Sequence, residues 1–371
     1  MKNWLALLLL LSLCSTARPS EQGPLQRVDS LLHARYTADA PGIAISIVEK
    51  GKTTFSKGYG ISSLEGKGKI SPATTFNIAS LTKQFTAMAI LQLAGKNKLS
   101  LDEKIGHFLP ELNKKIGGQV TIRQLLNHSS GIVDHYAYTD TNNLHHAHNS
   151  TALTAIKNID TTYFTPGSQF RYSNTAYCLL ALVIERASGL SYAAYMQQYI
   201  FQPAGMKHTA IWNESRANNT DAAGYDLDSV SKRFVASGAA EHIFFSTEGD
   251  GGIYTTVEDY TKWFTALQSG NVFPKQLASL ARSLQFAIDA RNKTGYGMGW
   301  FVDEHTQPAL AYHSGSNGGF NSYSFTIPGE GFAVVVFSNR SDINLELLVQ
   351  QIINILLPGR KPFTKIQSLT S

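Results

Sequence analysis

The sequence predicts an α+β fold from three features. A helix and a strand hairpin stand near its start. Strand-like runs closed by a helix stand at its end, and a mostly helical stretch lies between. If the first and last parts pair, they build one antiparallel sheet flanked by the N- and C-terminal helices. The middle is then an inserted helical lobe, and a cleft opens between the lobes. With 43% hydrophobic and 16% charged residues among 371, the chain is too apolar and too weakly charged to be a disordered polymer.

The elements follow in order. Residues 24–36 carry Leu25, Val28, Leu31 and Leu32 at helical spacing. Residues 42–48 are β-branched and strand-like, Glu49-Lys50-Gly51-Lys52 is a turn, and 53–59 returns as a second strand. After Phe76-Asn77-Ile78-Ala79-Ser80 a helix runs to Lys96. Its Phe85, Met88, Ala89, Leu91 and Leu93 leave no polar face, so it is expected to be buried. Between about 100 and 235, a short helix holds Ile122, Leu125 and Leu126, and Asn174 to Ser188 is a strongly apolar helix stopped by Gly189. Another helix covers Tyr192–Phe201. Val257–Gln268 is helical. Strand-like runs at 296–302, 309–313, 320–327 and 331–338 lead to a last helix at about 343–356.

Several function classes are excluded. The net charge of +5, from 32 Lys and Arg against 27 Asp and Glu, is scattered, with basic neighbours only in pairs such as Lys114-Lys115. No basic stripe offers a nucleic-acid surface. Residues 1–17 have the layout of a secretory signal peptide: Met1-Lys2-Asn3, an apolar run from Trp4 to Cys14, then Ser15-Thr16-Ala17. A membrane-spanning helix needs about 20 apolar residues, more than this run holds. Leu13 suits a lipidated Cys14 poorly, so no stable membrane association is expected. The expected location is the bacterial periplasm or medium. Cys178 alone then remains, which rules out an internal disulfide. Asp134, His135, His145, His146 and His148 are of metal-ligating types, but their spacing fits no standard site and reads as a solvated loop. No metal or cofactor is expected.

Three motifs carry chemistry. Ser80-Leu81-Thr82-Lys83 sets a Ser and a Lys three apart, on one face of a helix start. A serine hydroxyl needs an adjacent base to become a nucleophile, and free N–H groups at a helix start favour developing negative charge. Tyr172-Ser173-Asn174 offers a phenol for proton transfer and an amide for a substrate carbonyl; by itself, Asn174 reads as a helix cap. His313-Ser314-Gly315, followed by Ser316, allows close backbone approach to a ligand. By itself it reads as a Gly-rich hairpin turn.

In this order and spacing, the motifs resemble those of the serine β-lactamase and penicillin-binding-protein superfamily. The similarity is greatest to the branch that holds class C β-lactamases, DD-peptidases, D-aminopeptidases and related esterases. Flanking segments match as well: Leu125 to Gly131, Pro166-Gly167, Pro203 to Met206, Gly251-Gly252-Ile253 and Gly297 to Trp300. The resemblance covers roughly residues 25–357. It implies a single serine hydrolase domain over 18–371, with the sheet lobe about 24–75 and 240–357, the helical lobe about 76–239 and a polar tail at 358–371. It also implies that Ser80 accepts the acyl group, that Lys83 and Tyr172 form the acid–base network, and that Asn174 binds and orients. His313 would shape the electrostatics, beside Gly315. The N–H groups of Ser80 and Ser316 would hold the oxyanion. Lys83 and Tyr172 both remain candidates for the acylation base.

One residue departs from the pattern. β-Lactamases and DD-peptidases usually carry Lys at the position of His313, where its charge meets a substrate carboxylate. An imidazole, with an ordinary pKa of about 6.5, is mostly neutral at pH 7. The expected substrate is therefore a small molecule or peptide with an ester or amide bond, turned over by an esterase, D-aminopeptidase or amidase. β-Lactam hydrolysis or DD-carboxypeptidase work is the alternative. A penicillin or peptidoglycan sensor that acylates once without turnover is the alternative of another class.

Overall fold

The computed structural model describes residues 23–140, 142, 146–213, 222–237 and 246–360. The expected signal peptide and the tail from 361 onward lie outside the described residues.

Helix α1 (Pro24–Arg35) leads into β1 (Ile43–Glu49) and β2 (Lys52–Tyr59). Strand β3 (Phe76–Asn77) precedes a 3-10 turn, Ala79–Leu81, that runs into α2 (Thr82–Gly95). Then come α3 (Lys114–Gln119), α4 (Ile122–Leu126), α5 (Asn149–Ile156), α6 (Asn174–Ser188) and α7 (Tyr192–Met196), which continues as a π turn through Phe201. Strand β4 (Ala210–Ile211), the hairpin of β5 (Tyr225–Leu227) and β6 (Phe234–Ala236), α8 (Glu248–Gly251) and β7 (Ile253–Thr255) lead to α9 (Val257–Ser269) and α10 (Lys275–Ala281). The chain closes with β8 (Phe286–Asp289), β9 (Thr294–Tyr296), β10 (Phe301–Asp303), β11 (Leu310–Asn317), β12 (Phe320–Ile327), β13 (Phe332–Ser338) and α11 (Leu345–Leu356).

The main sheet is antiparallel, in the order β2-β1-β13-β12-β11-β10-β9-β8. Its N- and C-terminal parts meet where β1 pairs with β13, Ile43 opposite Ser338 and Val48 opposite Ala333. Strand β1 is apolar on both faces because both faces are covered. On one side Ile43, Ile45, Tyr323, Phe325 and Val336 pack with α1 and α11 through Val28, Leu32, Leu348 and Ile352. On the other, Ala44, Val335 and Phe337 join the large core of the helical lobe. The α+β class and the inserted helical lobe are thus as the sequence predicts.

Two local readings change. The strand run at 296–302 is two strands, β9 and β10, separated by a turn. Gly299 makes that turn with φ +89°, and a Cβ there would stand 2.8 Å from the Lys83 carbonyl oxygen. The His313 motif lies inside β11 rather than in a turn, because the strand continues to Asn317, four residues past the end of the run read at 309–313, and the reversal falls at Gly318-Gly319.

Every residue of α2 is buried except Gln92, Ala94 and Gly95. Phe85 anchors it: its ring stacks on Trp263 at 4.1 Å and meets Phe201 and Tyr260 edge-on at 6.0 Å. Removing such a side chain loses transfer energy and leaves a cavity. Phe85→Ala should therefore cost about 3–5 kcal/mol, seen as a lower urea midpoint at unchanged slope. An unmoved midpoint would show that α2 is not anchored there.

Candidate active site

Ser80 sits in the 3-10 turn ahead of α2, two residues before the helix begins at Thr82. The turn is strained and pinned. Ala79 has φ +46°, in the left-handed region that a residue with a Cβ seldom adopts. Asn77 Oδ1 accepts the Ala79 N–H at 2.8 Å, and Ser322 Oγ donates to the Ile78 carbonyl at 2.7 Å.

Lys83, in the first turn of α2, is fully buried. Its Nζ donates to Ser80 Oγ at 3.0 Å, to Asn174 Oδ1 at 2.9 Å and to the Asp250 carbonyl at 2.9 Å. The Tyr172 ring lies 4.9 Å from the same nitrogen and the Tyr177 ring 5.6 Å. Three oxygens match the three protons of an ammonium, so the side chain is held without rotational freedom.

Helix α6 is capped by Ser173, not Asn174: Ser173 Oγ accepts the Ala176 N–H at 3.1 Å. That frees the Asn174 amide. Its oxygen takes Lys83, and its Nδ2 donates to Tyr136 Oη at 2.8 Å. The Tyr172 hydroxyl makes no hydrogen bond to another described residue and lines the cleft.

Strand β11 supplies the opposite wall. Gly315 faces the Ser80 turn so closely that a Cβ would stand 2.6 Å from the Ile78 carbonyl oxygen and 2.9 Å from the Ser80 nitrogen. Ser314 and Ser316 are exposed beside it, whereas His313 is 1% exposed. His313 Nδ1 lies 2.6 Å from the Ser314 carbonyl, which can only accept, so Nδ1 carries the proton. Nε2 then accepts from Tyr296 Oη at 3.0 Å. Burial, reinforced by the Lys83 charge, lowers the imidazole pKa to about 3. The ring is neutral, and both its nitrogens are used within the protein.

These groups surround a cleft of about 950 Å³ that reaches from Ser80 to the start of α11. Ser80, Tyr172, Asn174, His313, Gly315 and Ser316 line it, and Lys83 lies beneath. Among the described residues, its charged lining is Asp134, Asp342, Glu346 and Arg171. Arg171 is 3.4 Å from Asp134, and Asp342 forms a paired contact with Arg340 at 2.6 Å. Tyr136, Asp250 and Tyr296 complete the network, although their sequence context does not single them out. A weak signal for Asp250 was its place beside Gly251-Gly252-Ile253. The residues of metal-ligating type have separate partners: His135 bonds Thr175, His148 bonds Glu248, and His146 meets Trp212 edge-on. His145 lies outside the described residues.

A sequence model of the beta-lactamase family matches residues 28–349. The chain belongs to that family. Protein flp of Staphylococcus aureus strain MW2 is 30% identical over 351 residues, 93% of this chain and 68% of that protein. Penicillin-binding protein 4* of Bacillus subtilis strain 168 is 29% identical over 306 residues, 79% of this chain and 67% of that protein. Among solved structures, the octameric penicillin-binding protein homologue from Pyrococcus abyssi superposes with a TM-score of 0.77 at 28% identity, over 90% of this chain and 77% of that one. Members of this beta-lactamase and penicillin-binding-protein superfamily are serine hydrolases that work through an acyl-enzyme.

In a beta-lactamase-family chain with a neutral His313, acid has a defined effect. The unfolded imidazole binds a proton below its ordinary pKa of about 6.5, while the folded ring resists until about 3. Stability is therefore lost as pH falls through that window, and His128, also lowered by burial, pushes the same way. His313 alone should remove about 2 kcal/mol between pH 8 and pH 5. Urea unfolding at the two pH values should show His313→Gln less stable at pH 8 but less sensitive to acid. An equal pH dependence in both proteins would show His313 charged in the fold.

Proposed function

We propose that this chain hydrolyses esters and amides through an acyl-enzyme on Ser80. The observation that carries the reading is the set of partners around Lys83 Nζ. The Asp250 carbonyl and Asn174 Oδ1 only accept, so they take two N–H groups, and the remaining position faces Ser80 Oγ. The resting ammonium donates at that position; once it has given up that proton the position is a lone pair, placed to take the hydroxyl proton as Oγ attacks the substrate carbonyl. The N–H groups of Ser80 and Ser316 receive the developing oxyanion. Tyr172, with its hydroxyl free in the cleft, passes the proton to the leaving group. Water then releases the acyl group by the reverse path.

The cleft's charge supports the choice of substrate. A neutral His313 offers no cation for a carboxylate. Asp134, Asp342 and Glu346 outnumber Arg171 in the lining. An acyl group that is neutral or bears an amine suits such a cleft, as in esterase, D-aminopeptidase or amidase work. A second reading is favoured by two relatives, one a penicillin-binding protein and the other a homologue of one. In that reading the chain is acylated by β-lactams, with or without turnover.

Ser80→Ala should abolish both hydrolysis and fluorophosphonate labelling while leaving thermal unfolding unchanged. Labelling of the variant at the wild-type rate would refute the nucleophile. A partly buried ion pair is worth a few kcal/mol, so its lack should give p-nitrophenyl butyrate a kcat/KM at least about 10²-fold above that of nitrocefin. Equal or faster nitrocefin turnover would favour the second reading. A nitrocefin burst with no steady state would favour a sensor.

A further inference from the structure

His128 is fully buried behind the cleft wall, yet neither its burial nor its hydrogen bonds are explained by the core around it. Three of its contacts converge on one residue of the site. Its carbonyl accepts the Arg171 N–H at 2.9 Å, so it holds the backbone just before Tyr172. Its Nδ1 accepts the Ser173 N–H at 3.1 Å, so it holds the backbone just after. Its ring lies against the Tyr172 ring, with centroids 4.3 Å apart and planes 36° from parallel.

The arrangement is held against local preference. His128 has φ +59°, a left-handed conformation uncommon for a side chain of this size. Because Nδ1 accepts, the neutral ring carries its proton on Nε2. That N–H is buried with no hydrogen-bond partner among the described residues, and the ring packs among others, its centroid 4.6 Å from that of Tyr296 and 5.1 Å from that of Tyr177. A phenylalanine would fill the same space without an orphaned donor, but it could not accept the Ser173 N–H. The feature gained in exchange for the orphaned donor is the grip on the segment that carries Tyr172.

We propose that His128 is a positioning residue for Tyr172: a backbone and ring clamp that holds the phenol over Lys83 at the distance proton transfer to the leaving group requires. The proposal rests on the acyl-enzyme reading above, in which Tyr172 delivers that proton. His128 itself touches neither substrate nor Ser80. Its absence should therefore matter only for leaving groups that need a proton. A p-nitrophenolate departs without one; an alkoxide from a methyl ester does not.

The test is a double-mutant cycle read with two esters of one acid, p-nitrophenyl butyrate and methyl butyrate. His128→Asn is the suitable variant: Asn tolerates left-handed backbone and keeps an acceptor near the Nδ1 position, but removes the ring. His128→Gln is the second variant, and both are checked by thermal unfolding before use. The expected result is a fall in kcat for methyl butyrate of at least about tenfold, within the range general-acid catalysis contributes, with KM little changed. The p-nitrophenyl ester should lose less than about threefold, since its leaving group needs no proton. In the Tyr172→Phe background the same His128 substitutions should cost nothing further for either ester. Equal losses for the two esters, or a full further loss in Tyr172→Phe, would overturn the proposal while leaving the acyl-enzyme reading intact. A wild-type protein that hydrolyses neither ester would overturn both.

Discussion

The cleft depends on one close approach. Strand β11 passes the Ser80 turn at Gly315 with no room for a single methyl group, because the Ile78 carbonyl and the Ser80 nitrogen occupy that space. The approach is possible because β10 pairs only with Leu310 to Tyr312. Beyond Tyr312 that edge of β11 has no strand beside it, and the Ser80 turn takes the place of one. The sheet lobe and the helical lobe thus meet at a backbone contact, which positions the Ser80 and Ser316 amides more rigidly than side-chain packing could. The strain at Ala79 is tolerated because Asn77, Ser322 and the short β3–β7 pairing hold the turn from three sides.

The electrostatics follow from the same burial. Lys83 reaches only neutral oxygens at Nζ, and none of the ion pairs among the described residues includes it. The two imidazoles nearest this charge, His128 and His313, are both held neutral by burial, and the lysine charge adds to the effect. One cation in a poorly solvated site suppresses others around it. A histidine at the third motif is therefore no weakened copy of a lysine: enclosed by Tyr296 and the Ser314 carbonyl, it serves as a neutral spacer.

Much of this was legible in the sequence, for physical reasons that differ by element. Helices α2 and α6 show themselves through apolar residues on every side, since burial on all faces leaves no alternative pattern. The three motifs are visible because proton transfer needs particular residue types at a helix start and at a strand. Taken alone, Asn174 could be read as the cap of α6, because Ser and Asn are equally good caps; the folded chain uses Ser173, and Asn174 contacts Lys83 instead. The run at 296–302 looked like one strand because tertiary packing against α2 creates the break at Gly299, and local propensity does not carry it. Tyr136, Asp250 and Tyr296 reach the motif residues by hydrogen bonds to partners 38, 167 and 17 residues away, which no local pattern records. His128 stands in a segment that matched the family pattern, but its three contacts to the Tyr172 segment span more than 40 residues and exist only once the loops are folded.

The distribution of charge then bears on selection. The whole chain carries +5, yet among the described residues the cleft lining holds three carboxylates against one guanidinium. A surface excess of positive charge is screened within about 8–10 Å at physiological salt, so it has little influence inside the cleft. What a substrate meets on entering is the local set: Asp134 with Arg171 on the helical side, Asp342 and Glu346 near the start of α11. Asp342 is offset by Arg340, and Asp134 by Arg171, which leaves Glu346 as the charge without an ion-pair partner among the described residues. In the proposed reading, a negatively charged substrate group beside Glu346 meets no cation at His313, which is neutral, or at Lys83, which lies beneath the floor. In the proposed esterase or amidase reading, this local charge disfavours a carboxylate beside Ser80, and the buried, neutral His313 supplies no cation to offset it.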